Sequence, residues 1–166
     1  MHAPMHLRAA TPDDAALLAA WLNDPATNRL LTSNLRGGGL DAKALALGLR
    51  RRDQVWMLIA ESAEAPPAGL IALDGIDRAD GVANLWFLLG DKAQARRGLT
   101  SAAIAAFCAA NPADLHVATA WIVAENAASA ACLRRAGFAQ AGRIDEAVLI
   151  DDKRQDRILF QRRFGA

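Results

Sequence analysis

Tyrosine is absent from all 166 residues, so no step performed by this chain can use a phenol as acid, base or nucleophile. Cysteine is nearly absent. Two residues, Cys108 and Cys132, cannot form a disulfide scaffold, and they do not make a C-x-x-C pair. The three histidines, His2, His6 and His116, show no metal-ligand spacing, so no metal is expected. No apolar run reaches the ~18 residues needed to cross a bilayer. The opening MHAPMHLRAA also lacks the basic and apolar regions of a secretory signal. These absences predict a soluble, cytoplasmic chain with no membrane partner. A basic excess is missing too: nineteen Lys and Arg against eighteen Asp and Glu leave a net charge of +1, which argues against a nucleic-acid partner. There is no G-x-S-x-G elbow, no G-x-x-x-x-G-K-[ST] phosphate loop and no H-E-x-x-H helix.

What is present suits one folded domain spanning residues 1–166. The apolar share of 53% against 22% charged supports a sizeable core. Gly37-Gly38-Gly39 and Pro66-Pro67 are the strongest breaks, and both are short enough to be loops. A strand is predicted over 6–10. Thr11-Pro12-Asp13-Asp14 then supplies a cap, a proline and first-turn acids for a helix ending at Asn23-Asp24-Pro25. Further helices are predicted near 26–31 and 41–51. Three apolar runs at 55–60, 69–74 and 82–89 read as an antiparallel meander, with Asp74-Gly75 and Asp80-Gly81 as turn signals between them. A helix at 99–110, a strand at 115–123, a helix at 127–136 ended by Gly137 and two strands at 138–148 and 154–164 complete the order. The prediction is an α/β fold: a mixed sheet with a parallel crossover from 82–89 to 115–123.

Two stretches carry chemistry. In LWFLLGDKAQARRGLTSAAIAAF, residues 85–107, an apolar strand enters a loop containing Arg96-Arg97-Gly98 that opens into an Ala-rich helix. Unpaired N–H groups and the partial positive charge at such a terminus suit a phosphate or pyrophosphate. The competing reading is a solvated Arg pair with a glycine used only for turning. In AWIVAENAASAACLRRAGF, residues 120–138, Asn126 stands where a strand gives way to a helix, and Ser129 lies on the first turn. Asn126 suits a helix cap, a role compatible with ligand contact. Cys108 and Cys132 read as core residues.

Taken together, these stretches resemble the acyl-CoA-binding core of the GNAT N-acetyltransferase superfamily. The resemblance rests on the Arg96–Ser101 loop, on Asn126-Ala127-Ala128-Ser129 and on Gly137-Phe138. The N-terminal LRAATPDDAALLAAWLNDPATNRLL also looks like the branch containing ribosomal-protein and small-amine acetyltransferases. Gly98 can be either the first or the last glycine of the family's pyrophosphate loop, and residues 96–101 contain the loop in both registers. The resemblance implies a central, mostly antiparallel sheet with one splayed parallel strand pair, flanked by helices. It implies acetyl-CoA as co-substrate, with a small-molecule amine or a peptide amino terminus as acceptor. Relatives are monomers or homodimers.

The implied donor contacts are the backbone of Phe87, Leu88 and Leu89 for the pantetheine arm, and Arg96, Arg97, Gly98, Leu99, Thr100 and Ser101 for the pyrophosphate. Asn126 would meet the pantetheine amide, with Ser129 near the sulfur. Many relatives protonate the leaving thiolate with a Tyr on or after the second helix. Here Ser129, or a water it holds, takes that place. Some relatives carry a Glu base where this chain has Asn84, leaving Glu125, Asp74 and Asp77 as carboxylates able to act through a water. Trp21 and Asn28-Arg29 are placed on the acceptor side, and the turn 151–156 on its rim. A non-catalytic acyl-CoA-binding or regulatory domain is the alternative consistent with the same residues.

Overall fold

The structure is a computed structural model that describes residues 5–31, 36–95 and 97–165. Seven strands form one mixed sheet: β1 His6–Ala9, β2 Gln54–Ala60, β3 Gly69–Asp77, β4 Val82–Leu89, β5 Val117–Val123, β6 Ala139–Ile150 and β7 Lys153–Arg163. The helices are α1 Ala15–Asn23, α2 Pro25–Asn28, α3 Ala42–Gly48, α4 Leu99–Ala110 and α5 Ala127–Arg135. Spatial order is β1-β2-β3-β4-β5-β7-β6, and β4 with β5 is the parallel pair. The connection between them is α4, as the strand–helix–strand pattern predicts.

Period-two alternation sorts the strand residues onto two faces. Leu73 and Leu85 pack with Leu99, Ala103, Ile104 and Phe107 of α4 and Leu133 of α5. The α4 residues recur at helical spacing and make the apolar stripe that lays this helix on the sheet. On the opposite face Leu58, Leu70 and Trp86 pack against Leu18 and Leu22 of α1 and Leu45 of α3.

Local sequence signals explain most boundaries. The Asp14 carboxylate accepts from the Thr11 amide at 2.8 Å and from Arg8 at 2.8 and 2.7 Å, tying β1 to the 3-10 turn that leads into α1. Pro25 opens α2 after the Asp24 cap. Gly137 takes φ +82° after α5, the left-handed conformation expected of it. Asp151 and Asp152, at φ +49° and +60°, form the tight connection of the β6–β7 hairpin.

One turn signal is overridden. β3 continues to Asp77, and Asp74-Gly75 lies inside it where the register with β4 shifts, so the pair makes a bulge. The Ile76 side chain is buried and its amide donates to Asp53 O at 2.9 Å, so tertiary pairing carries the strand past a local Asp-Gly.

Gly90, just after β4, is required by packing. A Cβ there would lie 2.1 Å from the Trp21 indole. Gly90→Ala is expected to destabilise the fold by about 1–3 kcal/mol through overpacking, read as a lower Tm. A second expectation concerns acid. The Arg8 guanidinium holds the Asp14 carboxyl down at about 2, below its ordinary 3.8. A depressed carboxyl stabilises the fold above its ordinary pKa, and that contribution disappears as pH falls toward the folded value. Asp14→Asn should therefore lower Tm at pH 7, through a stability loss of less than about 1 kcal/mol at this partly solvated pair. The difference from the parent should shrink between pH 4 and pH 2 in a thermal melt.

Candidate functional site

β4 and β5 pair at Val82↔Val117, Ala83↔Ala118 and Asn84↔Thr119, and then separate. Each remains bound to its outer neighbour, β4 to β3 through Leu89 and β5 to β7 through Val123. The gap holds a cavity of about 1030 Å³ whose lining includes Asn84 to Leu89 on one strand and Ala120, Trp121 and Ile122 on the other. Lining residues come from both sides of the sheet: Thr100, Ser101, Ser129 and Cys132 from α4 and α5, and Ala26, Thr27, Leu30 and Leu31 opposite. The β5-facing edge of Phe87–Leu89 has lost its strand partner and borders this space.

The α4 terminus opens onto the cavity. Gly98 caps it at φ +77°, and a Cβ at this position would meet nothing within 4 Å. The first-turn N–H groups of α4 have no acceptor within the helix. Lys92, Arg97 and Arg135 also line the cavity. Lys92 Nζ donates to Leu89 O at 2.9 Å, and Arg97 is steadied by Gln94 at 2.6 Å and by Glu61 at 2.5 Å. Gly98, Leu99, Thr100 and Ser101 of the expected loop lie here with Arg97, whereas Arg96 lies outside the described residues.

Asn126 is the α5 cap that the sequence predicts: its Oδ1 accepts from the Ser129 amide at 3.1 Å. Both residues line the cavity. Cys132 packs against the core, as expected, and also meets the cavity. It is half-buried in the cavity wall, its Sγ accepts from Ser101 Oγ at 3.2 Å, and Arg135 reaches the same hydroxyl at 3.4 Å. Cys108 is buried, and burial pushes its thiol pKa up.

None of the three carboxylates considered as bases lines the cavity. Glu125 is held by Arg29 at 2.9 Å, and the same guanidinium bonds Asp151 at 2.6 Å. Asp74 accepts from the Trp56 indole at 3.2 Å and the Trp86 indole at 2.5 Å; burial pushes its carboxyl pKa up, although both indole bonds act the other way. Asp77 accepts from the amides of Ala79 and Asp80 and so holds its own turn. Asn84 does line the cavity, with its Oδ1 buried and lacking a hydrogen-bond partner.

The expected acceptor side also changes. Trp21 packs on Gly90, Asn28 is buried with its amide on Leu22 O at 2.7 Å, and Arg29 turns to Glu125 and Asp151. Their neighbours Ala26, Thr27 and Leu30 line the space instead. Two cavity residues had no sequence signal. Arg157 of β7 carries its guanidinium 4.7 Å from the Trp121 ring centroid, and nothing in a strand pattern separates these residues from ordinary β-face positions.

Comparison with known proteins agrees with this geometry. The family model for the acetyltransferase (GNAT) domain matches residues 5–139. No curated protein matches the sequence. Among solved structures, the chain is similar to a spermidine N-acetyltransferase from Vibrio cholerae in complex with CoA and spermine. That similarity has a TM-score of 0.85 at 15% identity, over 96% of this chain and 95% of that one. A ribosomal L7/L12 alpha-N-protein acetyltransferase in complex with CoA aligns with a TM-score of 0.81 at 20% identity, over 96% and 94%. A GNAT acetyltransferase from Streptococcus pneumoniae gives 0.77 at 20%, over 97% and 99%.

The different surroundings of the two thiols predict different chemistry. In the native protein a maleimide should label Cys132 and leave Cys108 intact, as read by mass spectrometry; Cys132→Ala should remove the labelling.

Proposed function

The chain belongs to the GNAT acetyltransferase family, and from that premise we propose that it is an acetyl-CoA-dependent N-acetyltransferase. The observation that carries this reading is the parting of β4 from β5 beside the α4 terminus and the Asn126-capped start of α5. In this reading pantetheine occupies the gap as an added strand against the backbone of Phe87–Leu89. The pyrophosphate takes the amides from Arg97 through Ser101, with Arg96 in the same loop, and Lys92, Arg97 and Arg135 supply charge. Asn126 spends Oδ1 on its cap, and its Nδ2 remains to donate to a pantetheine carbonyl. CoA complexes of two solved proteins with this fold support the choice of donor.

The acceptor in this reading is a small-molecule amine or a peptide amino terminus, attacking the thioester carbon directly. The new C–N bond forms, the C–S bond breaks, and the amine gives its proton to water. Among the described residues no carboxylate lines the cavity. Accordingly the amine reacts in its neutral form, and the protein acts chiefly by positioning. Ser129, or a water on its hydroxyl, returns a proton to the thiolate. A thiol with a pKa near ~8.5 leaves acceptably without a strong acid. Glu125 contributes by fixing Arg29, which spans α2, the loop after β5 and the β6–β7 turn.

CoA should raise Tm by roughly 5–10 °C at a hundredfold excess over Kd, because such binding adds about 2.7 kcal/mol. Gly98→Asp should abolish the shift by placing a carboxylate at the pyrophosphate. Gly98→Asn, which tolerates a left-handed backbone without charge, should keep most of it. CoA should also protect Cys132 from maleimide. Absence of any CoA shift in the parent protein overturns the donor reading, and a shift without turnover of any amine favours a binding-only domain.

A further inference from the structure

The apex of the gap narrows the acceptor, granted the donor reading above. We propose that Asn84 accepts a hydrogen bond from the attacking amine, and that the site therefore takes weakly basic amines in preference to alkylammonium ions.

Asn84 makes the last parallel pair, with Thr119, before β4 and β5 separate. It lines the cavity, and its buried Oδ1 has no hydrogen-bond partner. Native structures seldom leave a buried acceptor unpaired, so the orphan points to a donor on a ligand. Alternation along β4 sets its face. Leu85 packs toward α4, whereas Trp86 and Leu88 pack toward α1, so Asn84 lies with them on the α1 side. In the donor reading the thioester points along the gap to this apex, and an amine held on Asn84 faces it.

An amide oxygen accepts an N–H and leaves the nitrogen lone pair free for attack, but it cannot remove a proton. Among the described residues no carboxylate or imidazole lines the cavity; its titratable groups are Lys92, Arg97, Cys132, Arg135 and Arg157. On β3, Asp74 is the register partner of Asn84, and its carboxylate is engaged by the Trp56 and Trp86 indoles. Arg51 and Asp53 beyond it pair with each other. On the α2 side Arg29 is taken up by Glu125 and Asp151.

A site of this kind must receive its amine already neutral, and the proton leaves to water once the C–N bond forms. At pH 7 an alkylamine with a pKa near 10.4 is neutral in roughly one molecule of 2500, an α-amino group near 8 in roughly one of ten. The greater nucleophilicity of the stronger base returns only part of that difference. The surrounding cations further disfavour an ammonium ion. Aminoacyl and fluorinated amines fall in the favoured class, and spermidine does not.

The test uses ethylamine, 2-fluoroethylamine and 2,2-difluoroethylamine, similar in size and falling in basicity in that order, with glycinamide and spermidine beside them. Thiol release at subsaturating amine reads kcat/KM from pH 6 to 9. At pH 7 difluoroethylamine and glycinamide should exceed ethylamine and spermidine at least threefold. Each rate should rise with the neutral fraction of its own amine. Asn84→Leu should lower kcat/KM at least tenfold for every amine, while the Tm of the free protein holds or rises and the CoA shift stays. Asn84→Asp puts a carboxylate at the apex, so ethylamine should gain on difluoroethylamine and its pH profile should flatten. Asp74→Asn keeps an acceptor for the indoles and should leave the parent profile unchanged. The inference is overturned by an ethylamine rate that does not rise with pH, by Asn84→Leu rates within twofold of the parent, or by an Asp74→Asn profile that loses its pH dependence. A lower Tm or a lost CoA shift in Asn84→Leu marks the residue as structural and overturns it too. In each case a CoA shift in the parent leaves the donor reading standing. No CoA shift in the parent overturns both, and a shift without turnover of any amine overturns this one.

Discussion

The short parallel pairing of β4 with β5 is the constraint on which the rest of the molecule turns. Three residue pairs hold the strands together, and each strand then follows its outer neighbour. An open strand edge is ordinarily a liability, because its backbone groups seek another chain. Here α4, α5 and the segment at 26–31 surround the opening, so the exposed edge is shielded from other chains. The two apolar clusters on opposite faces keep the sheet rigid around that gap.

The strand and helix order was legible because its signals are local: capping Asp and Asn residues, prolines at helix starts, and a change from helical periodicity to a short apolar run after Asp53. Asp74-Gly75 misled because a bulge and a turn use the same residue types, and only the pairing of Ile76 with Asp53 distinguishes them. The Asn126 cap of α5 and the glycine that opens α4 were legible because helix boundaries are written in consecutive residues.

Part of the cavity wall was not legible in the same way. Arg157 and Trp121 meet across two strands that are distant in sequence, and each looks like an ordinary residue in its own strand. Cys132 reads as core because its helix neighbours are apolar, and it does pack against the core, but it also lines the cavity. Glu125 looked available until Arg29, from the other end of the chain, claimed it. Ion pairs of this kind depend on tertiary placement, and a linear pattern does not encode them.

Gly90 and Trp21 make one unit, although one lies in a loop and the other on a helix. The indole occupies the volume where any side chain at 90 would begin. Neither position is free to drift alone: a larger residue at 90 demands a smaller one at 21, and a smaller ring at 21 leaves a void that Gly90 cannot fill. Across related sequences the two positions should therefore covary, with aromatic residues at the first accompanied by glycine at the second.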